Sequence, residues 1–184
     1  YASWEDLSYL TSPAGSGDPQ AAQPLIDLYA EGDVRLDTYR TDENEESGIL
    51  WTAKYPGKGD NAAPDCNNVV IFRLSEMYLN RAEATIKGNL TQYDAVADIT
   101  KVASNRGAVA SPATSTGVLK ERQKELAWEG HLWFDLGRTK TNMTRTDVAD
   151  GVITEVEWGT HVWAMPIPDR EHNTNPNLSR NPGY

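Results

Sequence analysis

The sequence FRLSEMYLNRAEATIKG, residues 72–88, carries the clearest signal of the fold class of this chain. Its apolar side chains recur at spacings of three and four residues, which is the period of an amphipathic α-helix. We predict a helix over residues 69–87 that ends at Gly88, because glycine readily adopts the backbone conformation that closes a helix. The apolar face of this helix is formed by Val70, Leu74, Met77, Tyr78, Ala82 and Ile86.

Two further helices are predicted downstream. The first covers residues 91–105, with an inward face made of Tyr93, Val96, Ile99 and Val102 or Ala103. The second covers residues 116–138, with apolar positions at Leu119, Leu126, Trp133 and Leu136. The first two predicted helices carry the alternation of small and large residues of a tetratricopeptide repeat, which cannot bury its own faces without neighbours. The predicted fold is therefore mainly α, built from tetratricopeptide-like helix pairs.

The first part of the chain is predicted to hold loops and a small β-hairpin. Residues 1–19 and 56–68 are rich in Gly, Pro and small polar residues, and residues 20–31 form a short amphipathic helix. Residues 33–40 and 48–55 alternate apolar and polar side chains around an acidic loop, which predicts the hairpin. We therefore divide one single domain into a loop and hairpin segment, residues 1–69, and a helical region, residues 70–184.

Charge and composition exclude several classes of partner and cofactor. The formal net charge of −10, with no basic stripe, argues against binding to nucleic acid. No apolar run is long enough to span a bilayer. The single cysteine, Cys66, excludes a metal site built from several cysteines, and the pair His131 and Asp135 lacks a third ligand nearby. We therefore expect neither a metal nor a cofactor.

Three stretches together resemble the C-terminal region of the SusD/RagB family. The first lies at residues 72–84, the second is ERQKELAWEGHLWFDLGR at residues 121–138, and the third combines PIP at 166–168, NPNL at 175–178 and NPGY at 181–184. All three occur in the order of the family and together span residues 70–184. Two positions depart from the family pattern: Leu132 stands where Arg is usual, and Arg180 where Gln is common.

The resemblance implies helix pairs on one side of the protein and a loop-rich, ligand-facing side on the other. Members of the family are anchored by an N-terminal lipidated Cys at the surface of the outer membrane. They form a lid on a SusC-like TonB-dependent transporter and deliver oligosaccharides or peptides to it, without catalysis. This chain shows neither the anchor nor the first helix pairs of the family, so we expect it to be part of a longer protein.

Three glutamates invite a catalytic interpretation. Glu121, Glu125 and Glu129 are spaced by four residues on one predicted helix, with Arg122 and Lys124 beside them. Glycoside cleavage needs two carboxyl groups about 5–10 Å apart across a cleft, rather than a stripe along one helix. We therefore expect structural ion pairs here and no catalytic residues.

Aromatic residues in loops are the better candidates for a sugar site. The apolar C–H face of a pyranose packs on a flat aromatic ring while neighbouring polar groups bind its hydroxyls. The predicted carbohydrate-binding residues are Trp51, Tyr55, Asp60, Asn61 and Trp4. For Trp51, packing within the hairpin is the alternative that the sequence leaves open.

The leading hypothesis is a cell-surface nutrient-binding protein of the outer membrane. It would capture oligosaccharides for import by a TonB-dependent transporter and would not be an enzyme. The first alternative is a helical-repeat scaffold that binds a protein partner. The second alternative is a glycoside hydrolase, which is disfavoured because no pair of carboxyl groups across a cleft is evident.

Overall fold

The computed structural model describes residues 20–41, 48–55, 70–145 and 151–184. The chain divides into two compact units, of which the first ends at His131 and the second begins at Leu132. The predicted division between residues 69 and 70 lies at the edge of a range outside the described residues and stays a prediction.

The described part of the first unit is mainly helical. In chain order, its elements are helix α1 (Gln23–Ile26), a 3-10 helix (Val34–Thr38), strands β1 (Tyr39–Arg40) and β2 (Trp51–Thr52), and helices α2 (Leu74–Gly88), α3 (Ala95–Ser104) and α4 (Ser115–Glu125). Strands β1 and β2 pair antiparallel. The predicted mainly α fold with a small β-hairpin is confirmed.

Local residues fix the ends of these helices. The side chain of Asp94 accepts a hydrogen bond from the backbone N–H of Ala97, 3.0 Å away, and so caps α3. The hydroxyl of Thr114 caps α4 in the same way, because it accepts from the N–H of Gly117 at 3.0 Å. Helix α2 ends in a left-handed residue, Asn89, with φ of 48°, which turns the chain towards α3.

The core of the first unit lies where α2, α3 and α4 meet. Its buried members are Leu79, Ala82, Ala95, Ile99, Val102 and Val118. At the start of α4 the helix lies against the preceding segment, since a Cβ atom added at Gly117 would lie 1.9 Å from the carbonyl oxygen of Pro112. The predicted pair of helices, observed as α2 and α3, therefore buries its apolar faces together with α4.

The second unit is smaller. Its described elements are helix α5 (Leu132–Thr139), strands β3 (Met143–Thr144) and β4 (Glu155–Val156), a 3-10 helix (His161–Trp163) and helix α6 (Asp169–Thr174). Strands β3 and β4 pair antiparallel. The indole rings of Trp133 and Trp163 stack with their centroids 4.2 Å apart. Among the described helices of the chain, none combines the length and apolar character that crossing a membrane requires.

Part of the predicted apolar faces was wrong. Val70, Leu74 and Met77 are exposed, whereas Leu79 and Ala82 are fully buried. Tyr93 and Val96 are exposed as well, although Ile99, Val102 and Ala103 are buried as predicted. The helical period was right, but α3 and α4 cover a side of α2 that is rotated from the predicted one.

The predicted helix over residues 116–138 was wrong in its middle. The structure ends α4 at Glu125 and begins α5 at Leu132. Between them, Trp128 and Gly130 have φ angles of 69° and 79°, which a right-handed helix does not allow. The helix predicted over residues 20–31 is likewise reduced to the four residues of α1.

The predicted strand over residues 33–40 was wrong for most of its length. Asp33 accepts a hydrogen bond from the backbone N–H of Arg35, 3.1 Å away, and begins the 3-10 helix instead. Only Tyr39 and Arg40 pair with β2, opposite Thr52 and Trp51 respectively. A local hydrogen bond from the backbone N–H of Arg35 to the carboxylate of Asp33 competes with the strand ladder, which explains the loss of the strand.

Candidate functional site

Two of the five predicted sugar-binding residues lie within the described part of the chain. Trp51 lies on β2 and is 5% exposed. Tyr55 is 8% exposed and donates a hydrogen bond from its hydroxyl to the carbonyl of Trp128 at 2.7 Å. Both side chains are therefore covered by protein in this conformation. Trp4, Asp60 and Asn61 lie outside the described residues, so the predicted sugar site as a whole stays a prediction.

Lys54, which lies between these two aromatic residues, binds backbone carbonyls at the C-terminal end of α4. The ammonium group of Lys54 donates to the carbonyls of Glu125 (3.2 Å) and Ala127 (2.7 Å), and to a carboxylate oxygen of Glu129 (2.6 Å). Burial lowers the pKa of Lys54, and Glu129 only partly offsets this effect. A cation at this position satisfies the carbonyls that the end of a helix leaves without partners. The hairpin is thereby attached to the point where α4 stops.

A buried ion-pair network lies next to this attachment. Arg35 on the 3-10 helix contacts Asp33 at 2.6 Å, Glu121 at 2.8 Å and Glu125 at 3.2 Å. Its guanidinium is almost fully buried, and so are the three carboxylates. A planar guanidinium with five donors suits such a position, because it can bind several carboxylates at fixed angles. Lys124 adds a second cation on Glu121 at 2.7 Å.

Glu125 is the centre of this network. Its carboxylate also contacts Arg73 at 2.5 Å and Arg106 at 2.7 Å, so that three guanidinium groups from three parts of the chain converge on it. Arg73 continues to Glu129, with its Nε 2.8 Å from the carboxylate. The predicted role of the three glutamates as structural ion-pair partners is confirmed. Most of their partners were missed, since Arg35, Arg73, Arg106 and Lys54 come from other elements.

The network determines the protonation of its carboxyl groups. Burial by itself would raise the pKa of Glu125, but the hydrogen bonds and charges of Arg106 and Arg73 outweigh it and hold the pKa at about 2. Burial is outweighed in the same way at Asp33, Glu121 and Glu129, so their pKa values lie below the ordinary range. All four carboxylates are therefore ionised at neutral pH, and none of them is poised to donate a proton.

A cavity of about 230 Å³ adjoins the network. Its walls combine aromatic rings with cationic side chains, and the residues that define its character are Tyr29, Tyr39, Trp128, Arg35, Lys54, Arg73, Arg106 and Lys124. The hydroxyl of Tyr29 donates to the carbonyl of Lys124 at 3.0 Å and lies 3.0 Å from the hydroxyl of Tyr39. Burial raises the pKa of Tyr29, so this phenol stays neutral. The cavity can hold water or a small polar group, and its cations are already matched by the carboxylates described above.

Metal ligands are not gathered in the described residues. No group of three or more His, Cys, Asp or Glu side chains in residues 20–41, 48–55, 70–145 and 151–184 has the arrangement to hold a metal ion. The carboxylates of Glu121, Glu125 and Glu129 are instead paired with guanidinium and ammonium groups.

The three glutamates of α4 and the turn after it are a signal in the sequence for a buried ion-pair network, but they do not identify the cations that pair with them. The segment from Leu28 to Arg35, LYAEGDVR, supplies Tyr29, Asp33 and Arg35. Three glutamates on a buried helix require cations from elsewhere in the chain, because unpaired buried charges are strongly destabilising. Pairing across a sequence separation of 86 residues, as between Arg35 and Glu121, is set by the tertiary fold.

Comparison with known proteins agrees with this architecture. The starch-binding protein SusD of Bacteroides thetaiotaomicron is 28% identical over 190 aligned residues, which cover all of this chain and 32% of that protein. A putative sugar binding protein from Bacteroides vulgatus is 33% identical, with a TM-score of 0.82 over 99% of this chain and 43% of that one. A SusD superfamily protein from the same organism is also 33% identical, with a TM-score of 0.79 over 99% of this chain and 42% of that one.

These matches cover at least 99% of this chain but only part of each relative. The chain spans less than half the length of each of these relatives. The sequence model of the SusD family matches residues 29–184, which include α2, the ion-pair network and the C-terminal stretch NPGY. The chain therefore belongs to the SusD family.

Proposed function

We propose that this protein captures oligosaccharides at the cell surface and takes part in their import. The observation that carries the proposal is the family match over residues 29–184, together with a curated relative that is named a starch-binding protein. The family also suggests the outer membrane as its location and a SusC-like TonB-dependent transporter as its partner.

Binding without catalysis fits the charges of the first unit better than hydrolysis does. A glycoside hydrolase needs a carboxyl group with a raised pKa as its general acid. The pKa values of Asp33, Glu121, Glu125 and Glu129 are lowered instead, since each carboxylate faces one or more cations. This network is therefore suited to hold the fold together, and we propose that the protein is not an enzyme.

A protein-binding scaffold is the second candidate, and one observation favours it. Ile71 and Phe72 precede α2 and Leu74 begins it, and each of the three residues is more than two-thirds exposed. An exposed apolar patch of this kind is typical of a protein contact. Such a contact is compatible with glycan capture, because the proposed transporter is itself a protein partner.

Titration separates these functions. The chain is titrated with maltoheptaose, cellohexaose and xylohexaose by calorimetry, and the sugars are then analysed by chromatography for shortened products. We expect saturable binding of at least one sugar with no cleavage. Shortened products would establish a hydrolase, and the absence of binding to all three sugars would overturn glycan capture by this chain. Co-purification with a β-barrel transporter in the absence of sugar binding would favour the scaffold.

The same titration tests the predicted sugar contacts on the hairpin. Trp51→Phe keeps an aromatic ring in the buried position and removes the indole edge. Weaker binding with an unchanged thermal midpoint would support a direct role for Trp51. Unchanged affinity would assign Trp51 to packing, as its burial suggests.

A further inference from the structure

The second unit holds one exposed tryptophan in a fixed orientation. Trp158 is 44% exposed. Its indole N–H donates to the carbonyl of Gly137 at 2.9 Å, and its backbone N–H donates to the side-chain oxygen of Asn142 at 2.9 Å. Asn142 is held in turn by Glu155, whose carboxylate oxygen is 3.2 Å from the Asn142 amide nitrogen. These contacts position the ring, although much of it faces solvent.

A lysine is placed against this ring at a conformational cost. Lys140 follows the end of α5 with φ of 57°, in the left-handed region that glycine or asparagine usually occupies there. The hydrogen bond from Thr141 N–H to the carbonyl of Leu136, 2.9 Å, completes this type of helix end. The ammonium group of Lys140 lies 5.0 Å from the centre of the Trp158 ring. This helix end therefore sets the position of Lys140 beside the exposed ring of Trp158.

The surroundings of Trp158 suit a sugar better than an apolar partner. The ammonium group of Lys140 lies over the ring and the carbonyl of Gly137 accepts from Nε1, while 44% of the residue stays exposed. The neighbouring side chains Asn142, Glu155 and Glu157 are polar and exposed. A flat apolar surface with polar groups at its rim matches a pyranose, which has an apolar C–H face and hydroxyls around its edge.

We propose that Trp158, flanked by Lys140, is a stacking subsite for a pyranose residue of an oligosaccharide. This subsite rests on the proposed glycan-binding function, and it is separate in sequence from the predicted contacts on the hairpin. Because the ring is already held by hydrogen bonds, little side-chain freedom is lost when a sugar stacks on it. Trp158 therefore contributes affinity for a ring shared by many glycans rather than selectivity for one linkage.

The test compares Trp158 with a second exposed aromatic of the same unit. Phe134 is 68% exposed and provides the matched control, since its ring has no hydrogen-bonding edge with which to be fixed. Maltoheptaose, cellohexaose and xylohexaose are titrated into the wild type, Trp158→Ala, Trp158→Phe and Phe134→Ala, after circular dichroism has confirmed the fold of each. We expect Trp158→Ala to weaken binding about tenfold, from the loss of the stacked apolar area. Trp158→Phe should retain part of the affinity, and Phe134→Ala should bind as the wild type does.

The outcomes distinguish the subsite from the function on which it rests. Unchanged affinity of Trp158→Ala for a sugar that the wild type binds would overturn the subsite and leave glycan capture intact. An equal loss in Phe134→Ala would also overturn it, because the effect would then not depend on a positioned ring. Absence of binding by the wild type to all three sugars would overturn both proposals.

A final variant tests the contribution of the lysine. Lys140→Gly removes the cation and the left-handed strain together. We expect the thermal midpoint to rise or stay unchanged while the affinity for the sugar falls. Affinity equal to that of the wild type would remove Lys140 from the proposed subsite.

Discussion

The ion-pair network around Glu125 gives the sharpest prediction about stability. Glu125→Gln keeps the size of the side chain and removes the negative charge that faces Arg35, Arg73 and Arg106 at 3.2, 2.5 and 2.7 Å. The pKa of Glu125 is about 2 against 4.5 for an ordinary glutamate. That difference corresponds to roughly 3 kcal/mol of free energy of unfolding. Removing one partner from a buried pair typically costs about 3–5 kcal/mol, so both routes give a similar loss.

The sign of the pH dependence follows from the same pKa. Because folding lowers the pKa of Glu125, the stabilisation is fully present above the pKa of the unfolded chain, near 4.5. It is lost progressively as the pH falls from about 5 towards about 2. The glutamine variant has no such group, so the gap in stability between the two proteins should narrow by roughly 2 kcal/mol between pH 7 and pH 3.

Urea denaturation followed by circular dichroism measures both quantities. The wild type, Glu125→Gln and the control Glu31→Gln are unfolded at pH 7 and at steps down to pH 3. Glu31 is exposed, and its replacement should change the free energy of unfolding by less than about 0.5 kcal/mol. If Glu125→Gln is too unstable to fold, Arg106→Gln removes one of the three cations and should cost about 1–3 kcal/mol. A loss no greater than that of the control, or a gap that does not narrow with falling pH, would contradict the role given to Glu125.

Two further predictions concern packing in the first unit. In urea denaturation, Leu79→Ala should lower the free energy of unfolding by about 2–5 kcal/mol, because this side chain is fully buried. Leu74 lies on the same helix but is 71% exposed, so Leu74→Ala should lower it much less. Equal losses would be inconsistent with the observed orientation of α2. Gly117→Ala should lower the free energy of unfolding by about 1–3 kcal/mol, because the added Cβ atom would lie 1.9 Å from the carbonyl oxygen of Pro112. Alanine in a helix usually has a neutral or stabilising effect, and that result here would show that the contact relaxes. The exposed neighbour Thr116→Ala is the control for the second measurement.

The break in the helix after α4 could not be predicted from local sequence patterns. The apolar spacing continues through Leu126 and Trp133, so the sequence predicts one uninterrupted helix. Gly130 is a weak signal for a break, and Trp128 is no signal at all, because bulky residues rarely adopt φ of 69°. Lys54 and Tyr55 bind the carbonyls of Glu125, Ala127 and Trp128 in this turn, and these two partners lie more than 70 residues upstream.

Local sequence was sufficient to specify the helical period of α2, α3 and α4, and membership of the family through residues 72–84, 121–138 and the C-terminal stretch. These features depend on neighbours within a few turns, so short-range chemistry encodes them. The buried side of α2, in contrast, was set by the packed fold, since it depends on where α3 and α4 lie. The packed fold also brings Arg35, Arg73 and Arg106 together on Glu125 and holds Trp158 beside Lys140. These residues are far apart in the sequence and come into contact only in the folded chain. The periodicity of the sequence reflects neighbours within a few helical turns, so it does not predict such contacts.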